Sequence, residues 1–239
     1  VTILSDPEQW EGWFHQHVTP LVDPAYQELS DAVSSALDEL RAAEEASEKV
    51  HRDRWDVFAP CPIKSAARVR TKLAADGVEG DDDLLERVLA LGDLARFRIV
   101  ATLKRDVVRC RRAFVSHDPK SPESKLFLGR YAIHKLKDFV RDESLRKPLV
   151  GHRALQLVVE VPSDGRTVRV EVQVMTQLQH AWDRRNHAMY EWLRENQMCG
   201  VEEVDELRVD DHAVAESLHA IDALADHNYA SFLRLRGQE

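Results

Sequence analysis

Residues 155–174 read LQLVVEVPSDGRTVRVEVQV, and the fold class turns on them. Leu155–Val161 and Thr167–Val174 are rich in β-branched residues and alternate in character, the pattern of strands. The Pro162-Ser163-Asp164-Gly165-Arg166 stretch between them is turn chemistry, so the two strands are expected to form a hairpin. Alternation sets Glu171 and Gln173 on one face of the second strand. An acid and an amide among valines do not suit a dry core. They suit either the wet face of an edge strand or a site.

Working outward, the pattern after the hairpin changes to a long helix over residues 177–195, and residues 202–236 read as another. In that last helix Leu207, Val214, Leu218, Ile221, Leu224, Tyr229 and Leu233 are the expected buried points. Towards the N-terminus, Leu94–Leu103 (LARFRIVATL) predicts a further strand and Arg105–Ser116 a helix returning across the sheet. Residues 24–52 have Tyr26, Leu29, Val33, Ala36 and Leu40 at helical spacing. After Pro60 and Pro62 a second helix is expected from Ile63 to Gly77, and a third from Asp82 to Leu91. Residues 117–131 (HDPKSPESKLFLGRY) read as a loop. Strands interrupted by helices and closed by a hairpin predict an α+β fold, a mixed sheet flanked by helices.

Composition narrows the function. The 239 residues are 44% hydrophobic, which rules out wholesale disorder. A formal charge of −9 argues against a general nucleic-acid coat. Cys61, Cys110 and Cys199 are scattered and form no CxxC pair, as free thiols in a reducing compartment would be. The acidic, Trp-containing start (VTILSDPEQWEGWF) is unlike a signal peptide, and no apolar run approaches the roughly 20 residues needed to span a bilayer. A soluble, cytoplasmic protein is expected.

The nine glycines make neither GxxxxGK[ST] nor GxGxxG, and HExxH is missing too. Phosphate binding must then come from side chains and metal. Lys64, Arg68 and Lys72 recur every four residues, along one face of the second helix. Spacing alone leaves that stripe as either a solvated basic face or a polyphosphate cradle. Asp93 stands at the mouth of the first strand in GDLARFRIV, with Arg96 and Arg98 behind it. Asp93 and Glu171 on one sheet beside cations are what a magnesium–triphosphate site requires.

The order of the pieces favours the site. A KxxxRxxxK helix, GDLARFRIV, GHRALQLVVEV, VEVQVMT and HAWDRRNHAMY, in this order, resemble the synthetase domain of RelA/SpoT-type (p)ppGpp synthetases. The resemblance runs from about Lys64 to Trp192. It implies a nucleotidyltransferase-like synthetase domain at 61–196; an N-terminal helical extension is expected at 1–60 and a C-terminal one, packed on the same domain, at 197–239, with the terminal helices as the expected surface for a homo-oligomer. It implies transfer of the β,γ-diphosphate of ATP to the 3′-hydroxyl of a guanine nucleotide, with Mg²⁺. Asp93 matches the family's metal-binding aspartate, and Glu171 the carboxylate that shares the metal and draws the proton. Gln173 sits in the family's E-x-Q strand, while Lys64, Lys72, Arg98 and Lys147 match phosphate-facing cations. With some 60 residues ahead of Lys64, the chain is expected to resemble the short, synthetase-only branch without an HD hydrolase. The lone His117-Asp118 pair reads as loop, and Asp210-Asp211-His212 as a helix start.

Departures from the family pattern sit around the bases. Pro62-Ile63-Lys64 replaces Arg-x-Lys, whose arginine stacks on adenine, and Arg68 replaces a serine. Gly151-His152…Gln156 stands where the family has GY…H, with its tyrosine against guanine. Asn186-His187 replaces Glu-His, and Tyr190-Glu191 replaces Tyr-Lys. His152 is therefore the candidate base-contacting residue, and Arg68 joins the nucleotide-binding set. Two other readings stay open: a pyrophosphokinase with an adenine nucleotide or the 3′ end of tRNA as acceptor, and a relative that has lost catalysis.

Overall fold

The structure, a computed structural model, describes residues 2–48, 55–58, 63–78, 80–115, 131–140, 142, 153–195 and 202–235, with the side chains of 43–48, 187–195 and 202–208 excepted. After a short 3₁₀ turn (Ile3–Ser5) come α1 (Pro7–His17), α2 (Thr19–Glu48), β1 (Trp55–Phe58), α3 (Ala66–Ala75) and α4 (Leu84–Leu89). Then follow β2 (Ala95–Ala101), α5 (Lys104–Phe114), β3 (Ala132–Asp138), β4 (Leu155–Ser163), β5 (Arg166–Thr176), α6 (Gln177–Glu195) and α7 (Glu202–Leu235). The strands form one sheet in the order β1-β2-β5-β4-β3. β2 and β5 run parallel and the other neighbours antiparallel, so the sheet is mixed, as the α+β reading expects.

The hairpin is tighter than its five turn-forming residues suggest. Pairing continues to Ser163 opposite Arg166, leaving Asp164 and Gly165 as the turn. Both have positive φ, 45° and 72°, as a two-residue hairpin matched to strand twist requires.

The pleat divides the sheet into two chemically different faces. Phe97, Ile99, Leu155, Leu157, Val159, Val170, Val172 and Val174 are all buried, in one cluster with Leu29, Val33 and Leu37 of α2 and Val107, Cys110 and Phe114 of α5. Burying each large apolar side chain contributes about 1.5–3 kcal/mol, which makes this face the main source of stability. The cluster also takes in Trp10 and Phe14 of α1. Trp10 fixes α1 further by donating its indole N–H to the Ala66 carbonyl at 2.6 Å.

Some elements differ from the sequence expectation. α2 begins at Thr19, well before residue 24, and carries Pro24 inside it. Pro20 falls in the first turn, where a missing N–H costs nothing, so the helix can start ahead of both prolines. β1 and β3 were not expected at all. The loop over 117–131 lies outside the described residues except Tyr131, which is buried with its hydroxyl donating to Glu28 at 2.8 Å.

α7 departs most. Val214, Ile221 and Leu224, expected in the core, are 39%, 52% and 59% exposed, and among the expected points whose side chains are described only Leu233 is fully buried. The side of α7 that faces the body is charged: Asp211 pairs with Arg185 at 3.3 Å, Glu216 with Arg153, and Asp226 with Arg105 at 3.1 Å. Asp222, itself buried, accepts from the Thr176 hydroxyl at 2.6 Å. Arginines on the docking surface therefore overrode the apolar periodicity, and the helix packs with its polar side inward. Asp211 is inside this helix, nine residues past its start at Glu202, so the Asp-Asp-His stretch does not begin it. Among the described residues no helix is long and apolar enough to cross a membrane.

Candidate active site

The second face of the sheet is polar, and strand pairing explains why its residues meet. β2 sets Arg96 beside Glu171 and Arg98 beside Gln173. β4 then adds Val158 and Gln156 across from the same two residues of β5, and β3 adds Lys135 and Lys137 beyond them. A cavity of about 340 Å³ opens over this row, lined by Lys72, Gly92, Asp93, Lys135, Lys137, Gln156, Val158 and Glu171. Asp93 and Glu171 thus face one cavity, although they lie far apart in sequence.

The approach to α3 brings two lysines to Asp93. The backbone N–H of Lys64 donates to the Leu94 carbonyl at 2.8 Å, and Ile63 bridges to Ala95, which ties the chain ahead of α3 to the start of β2. Ser65 then caps α3, accepting from the Arg68 N–H at 3.4 Å. Lys72 lies two turns on, on the side facing the sheet. Lys64 Nζ donates to one oxygen of Asp93 at 2.5 Å and Lys72 Nζ to the other at 2.6 Å. Burial by itself raises the Asp93 pKa, but the two lysine hydrogen bonds and charges outweigh it and hold the carboxyl below its ordinary value. That ion pair is present above the ordinary aspartate pKa and is lost as pH falls through the lowered one.

The basic stripe is therefore split. Lys64 and Lys72 reach Asp93, whereas Arg68 is exposed and lies outside the cavity lining. Arg98 and Gln173 do not line the cavity either; they bind each other, the Arg98 Nε–H donating to Gln173 Oε1 at 3.0 Å. Arg98 also pairs with Asp183 of α6 at 2.5 Å. His180, one turn before Asp183, is held below its ordinary pKa by burial and by the charges of Arg98 and Arg184. These groups form a largely buried polar brace that joins α6 to the same polar face of the sheet, beside the cavity. Pro62, Lys147, Gly151 and His152, together with His117-Asp118, lie outside the described residues, as do the side chains of His187, Tyr190 and Glu191. Asn186 is half-buried on α6.

Sequence reading missed Lys135 and Lys137. Their signal was the i, i+2 spacing in AIHKLKD, which puts two cations on one side of a strand. A seven-residue segment with so few apolar residues does not announce itself as a strand. Among the described residues no group of three or more His, Cys, Asp or Glu is placed to hold a metal by itself. Asp93 and Glu171, two hard oxygen donors on one cavity, fit an ion such as Mg²⁺ that takes one or two carboxylates and completes its shell with phosphate and water.

No protein-family model matches the sequence, and no curated protein matches it. Solved structures do. The chain is similar to the small alarmone synthetase 1 of Bacillus subtilis bound to its product pppGpp, with a TM-score of 0.65 and 16% identity over 95% of this chain and 99% of that one. It is similar to small alarmone synthetase 2 of the same organism at TM-score 0.61 and 19% identity, over 92% and 100%. A GTP pyrophosphokinase family protein from Streptococcus pneumoniae aligns at TM-score 0.52 and 17% identity, over 90% and 98%. At such identities the likeness speaks for the backbone, and it extends over nearly the whole length of each partner. The chain has the fold of the small alarmone synthetases, the short synthetase-only form of the RelA/SpoT type.

Proposed function

We propose that this protein is an ATP-dependent pyrophosphokinase that makes (p)ppGpp from GDP or GTP. The observation that carries the reading is the single cavity on which Asp93, Glu171, Lys72, Lys135 and Lys137 converge, in this fold. In the reaction the 3′-hydroxyl oxygen of the acceptor attacks the β-phosphorus of ATP. The bond from that phosphorus to the oxygen bridging it to the α-phosphate breaks, and AMP leaves. Glu171 takes the hydroxyl proton. Lys64, Lys72, Lys135 and Lys137 neutralise the phosphate oxygens, and such a reaction depends mainly on positioning and charge. Asp93 and Glu171 would hold Mg²⁺, which would polarise the transferred phosphates. The brace of Arg98, Gln173 and Asp183 ties β2, β5 and α6 together beside the site.

The test is incubation with γ-labelled ATP, Mg²⁺ and, separately, GDP, GTP, ATP and tRNA, followed by chromatography. Label on a guanine nucleotide supports the proposal. Label on ATP or tRNA moves the protein to the changed-acceptor reading, and absence of transfer with every acceptor overturns both. Lys72→Met is expected to weaken ATP binding by about 1.5–3 kcal/mol, the range for a hydrogen bond to a charged group. Unchanged affinity in calorimetry would return α3 to a solvated basic face.

The reading includes self-association through α7. Its exposed side carries Val214, Ile221, Leu224, Phe232 and Leu235 at helical spacing, an apolar stripe of the kind that marks an interface. A second copy fits it best. Antiparallel pairing would bring apolar stripe to apolar stripe and set exposed Arg234 near one end against exposed Asp210 near the other, satisfying two-fold symmetry. The combined Ile221→Glu and Leu224→Glu changes are expected to convert an oligomer into a monomer in light scattering, with little change in melting temperature. A wild-type protein that is already monomeric at micromolar concentration would rule this surface out as a self-interface.

A further inference from the structure

Both oxygens of the one carboxylate at the mouth of β2 are occupied by lysines, and this has a consequence for how a metal can enter. We infer that Lys64 and Lys72 lock Asp93 against a bare divalent cation, so that metal and polyphosphate bind only together. The inference rests on the reading of the cavity as a nucleotide site.

Three observations carry it. First, the bonds are short and charge-assisted, 2.5 Å and 2.6 Å, one to each oxygen. A magnesium-sized ion must come within about 2.0–2.1 Å of an oxygen, which brings it against an ammonium group already there. Second, the local charge is unfavourable. Lys64, Lys72, Lys135 and Lys137 stand against Asp93 and Glu171, so the site is net positive before any cation arrives. Third, the protein offers two carboxylates and, among the described residues, no cluster of three or more ligating side chains. A metal held by so few protein groups needs the oxygens of a phosphate to complete its shell.

A polyphosphate changes each term at once. Its negative charge offsets the lysines, it offers Lys64 and Lys72 anionic partners as they leave Asp93, and it supplies the missing metal ligands. The freed Asp93 oxygens then become available to the ion. Lys64 and Lys72 thus hold the site closed when empty and bind the phosphates when it is filled.

The test is a Mn²⁺ titration without nucleotide, following free Mn²⁺ by electron paramagnetic resonance. Wild type is expected to bind Mn²⁺ weakly, and Lys72→Met at least about tenfold more tightly, because one oxygen of Asp93 is released. The lysine is 37% exposed, so the variant should fold, and its circular dichroism melt checks this. Lys135→Met removes the same charge from the same cavity but no bond to Asp93, and should change Mn²⁺ affinity by less than about threefold. A non-hydrolysable ATP analogue should raise Mn²⁺ affinity of the wild type. Equal Mn²⁺ affinity in wild type and Lys72→Met overturns the lock. So does a gain in Lys135→Met that matches Lys72→Met, since net charge alone would then explain it. Failure of the ATP analogue to bind with metal present overturns the proposed function instead, and the metal-only comparison still decides the lock.

Discussion

Glu171→Gln is expected to lower the rate of diphosphate transfer by about 10²–10⁴-fold, the range for removing a positioned general base. The substitution keeps the shape of a buried side chain that sits in the middle of the sheet, between Arg96 of β2 and Val158 of β4. Because glutamine matches glutamate in volume and still forms hydrogen bonds, the fold should stay intact. Because a base acts in the transition state, kcat and kcat/KM should fall together while KM for the acceptor stays nearly constant. Steady-state kinetics on the purified variant, with its thermal melt as control, checks this. A loss below about tenfold would remove Glu171 from the chemistry.

The second large effect lies a single pleat away and has the opposite character. Phe97 and its partner Val172 follow directly on Arg96 and Glu171, but point to the other face of the sheet. Phe97 is fully buried and meets the Tyr26 ring edge-on, with centroids 5.8 Å apart. Phe97→Ala is expected to cost about 3–5 kcal/mol through lost burial and the cavity left behind. For a chain of this length that is a fall in Tm of roughly 6–20 °C. The fraction that remains folded should transfer diphosphate at an unchanged rate per folded molecule. A melt within about 2 °C of wild type would mean that the core closes over the gap.

These two neighbours also show what could be read beforehand. β5 was legible because its Val-Glu-Val-Gln-Val alternation carries both signals at once, apolar residues for the core and polar ones for the site. α6 was legible as a helix over the range it occupies, residues 177–195. β1 was not, since Trp55–Phe58 is four residues long and gains its meaning only from pairing with β2. β3 was not, because an edge strand bordering a wet cavity is not required to be apolar, and with it went Lys135 and Lys137. Asp93 and Lys72 were identified as site residues, but their bond to each other was not, because spacing shows which side of a helix a residue occupies and not what lies opposite. The brace from Arg98 to Asp183 was missed for a related reason. Its members come from β2, β5 and α6, and only the folded chain places them within bonding distance.

The outward apolar stripe of α7 makes ionic strength a two-handed control. The ion pairs that seat the helix, such as Arg105 with Asp226 and Arg185 with Asp211, are partly open to solvent and weaken as added salt screens them. The opposite face responds in the other direction, since sulfate and similar ions are excluded from apolar surface and favour its burial. With the proposed self-association, rising sulfate should therefore loosen the helix from its own body while tightening its hold on a second copy. Hydrogen exchange along residues 209–235 would speed up under the same conditions in which the particle grows, a pairing of signs that an ordinary amphipathic helix, docked by its apolar side, would not give.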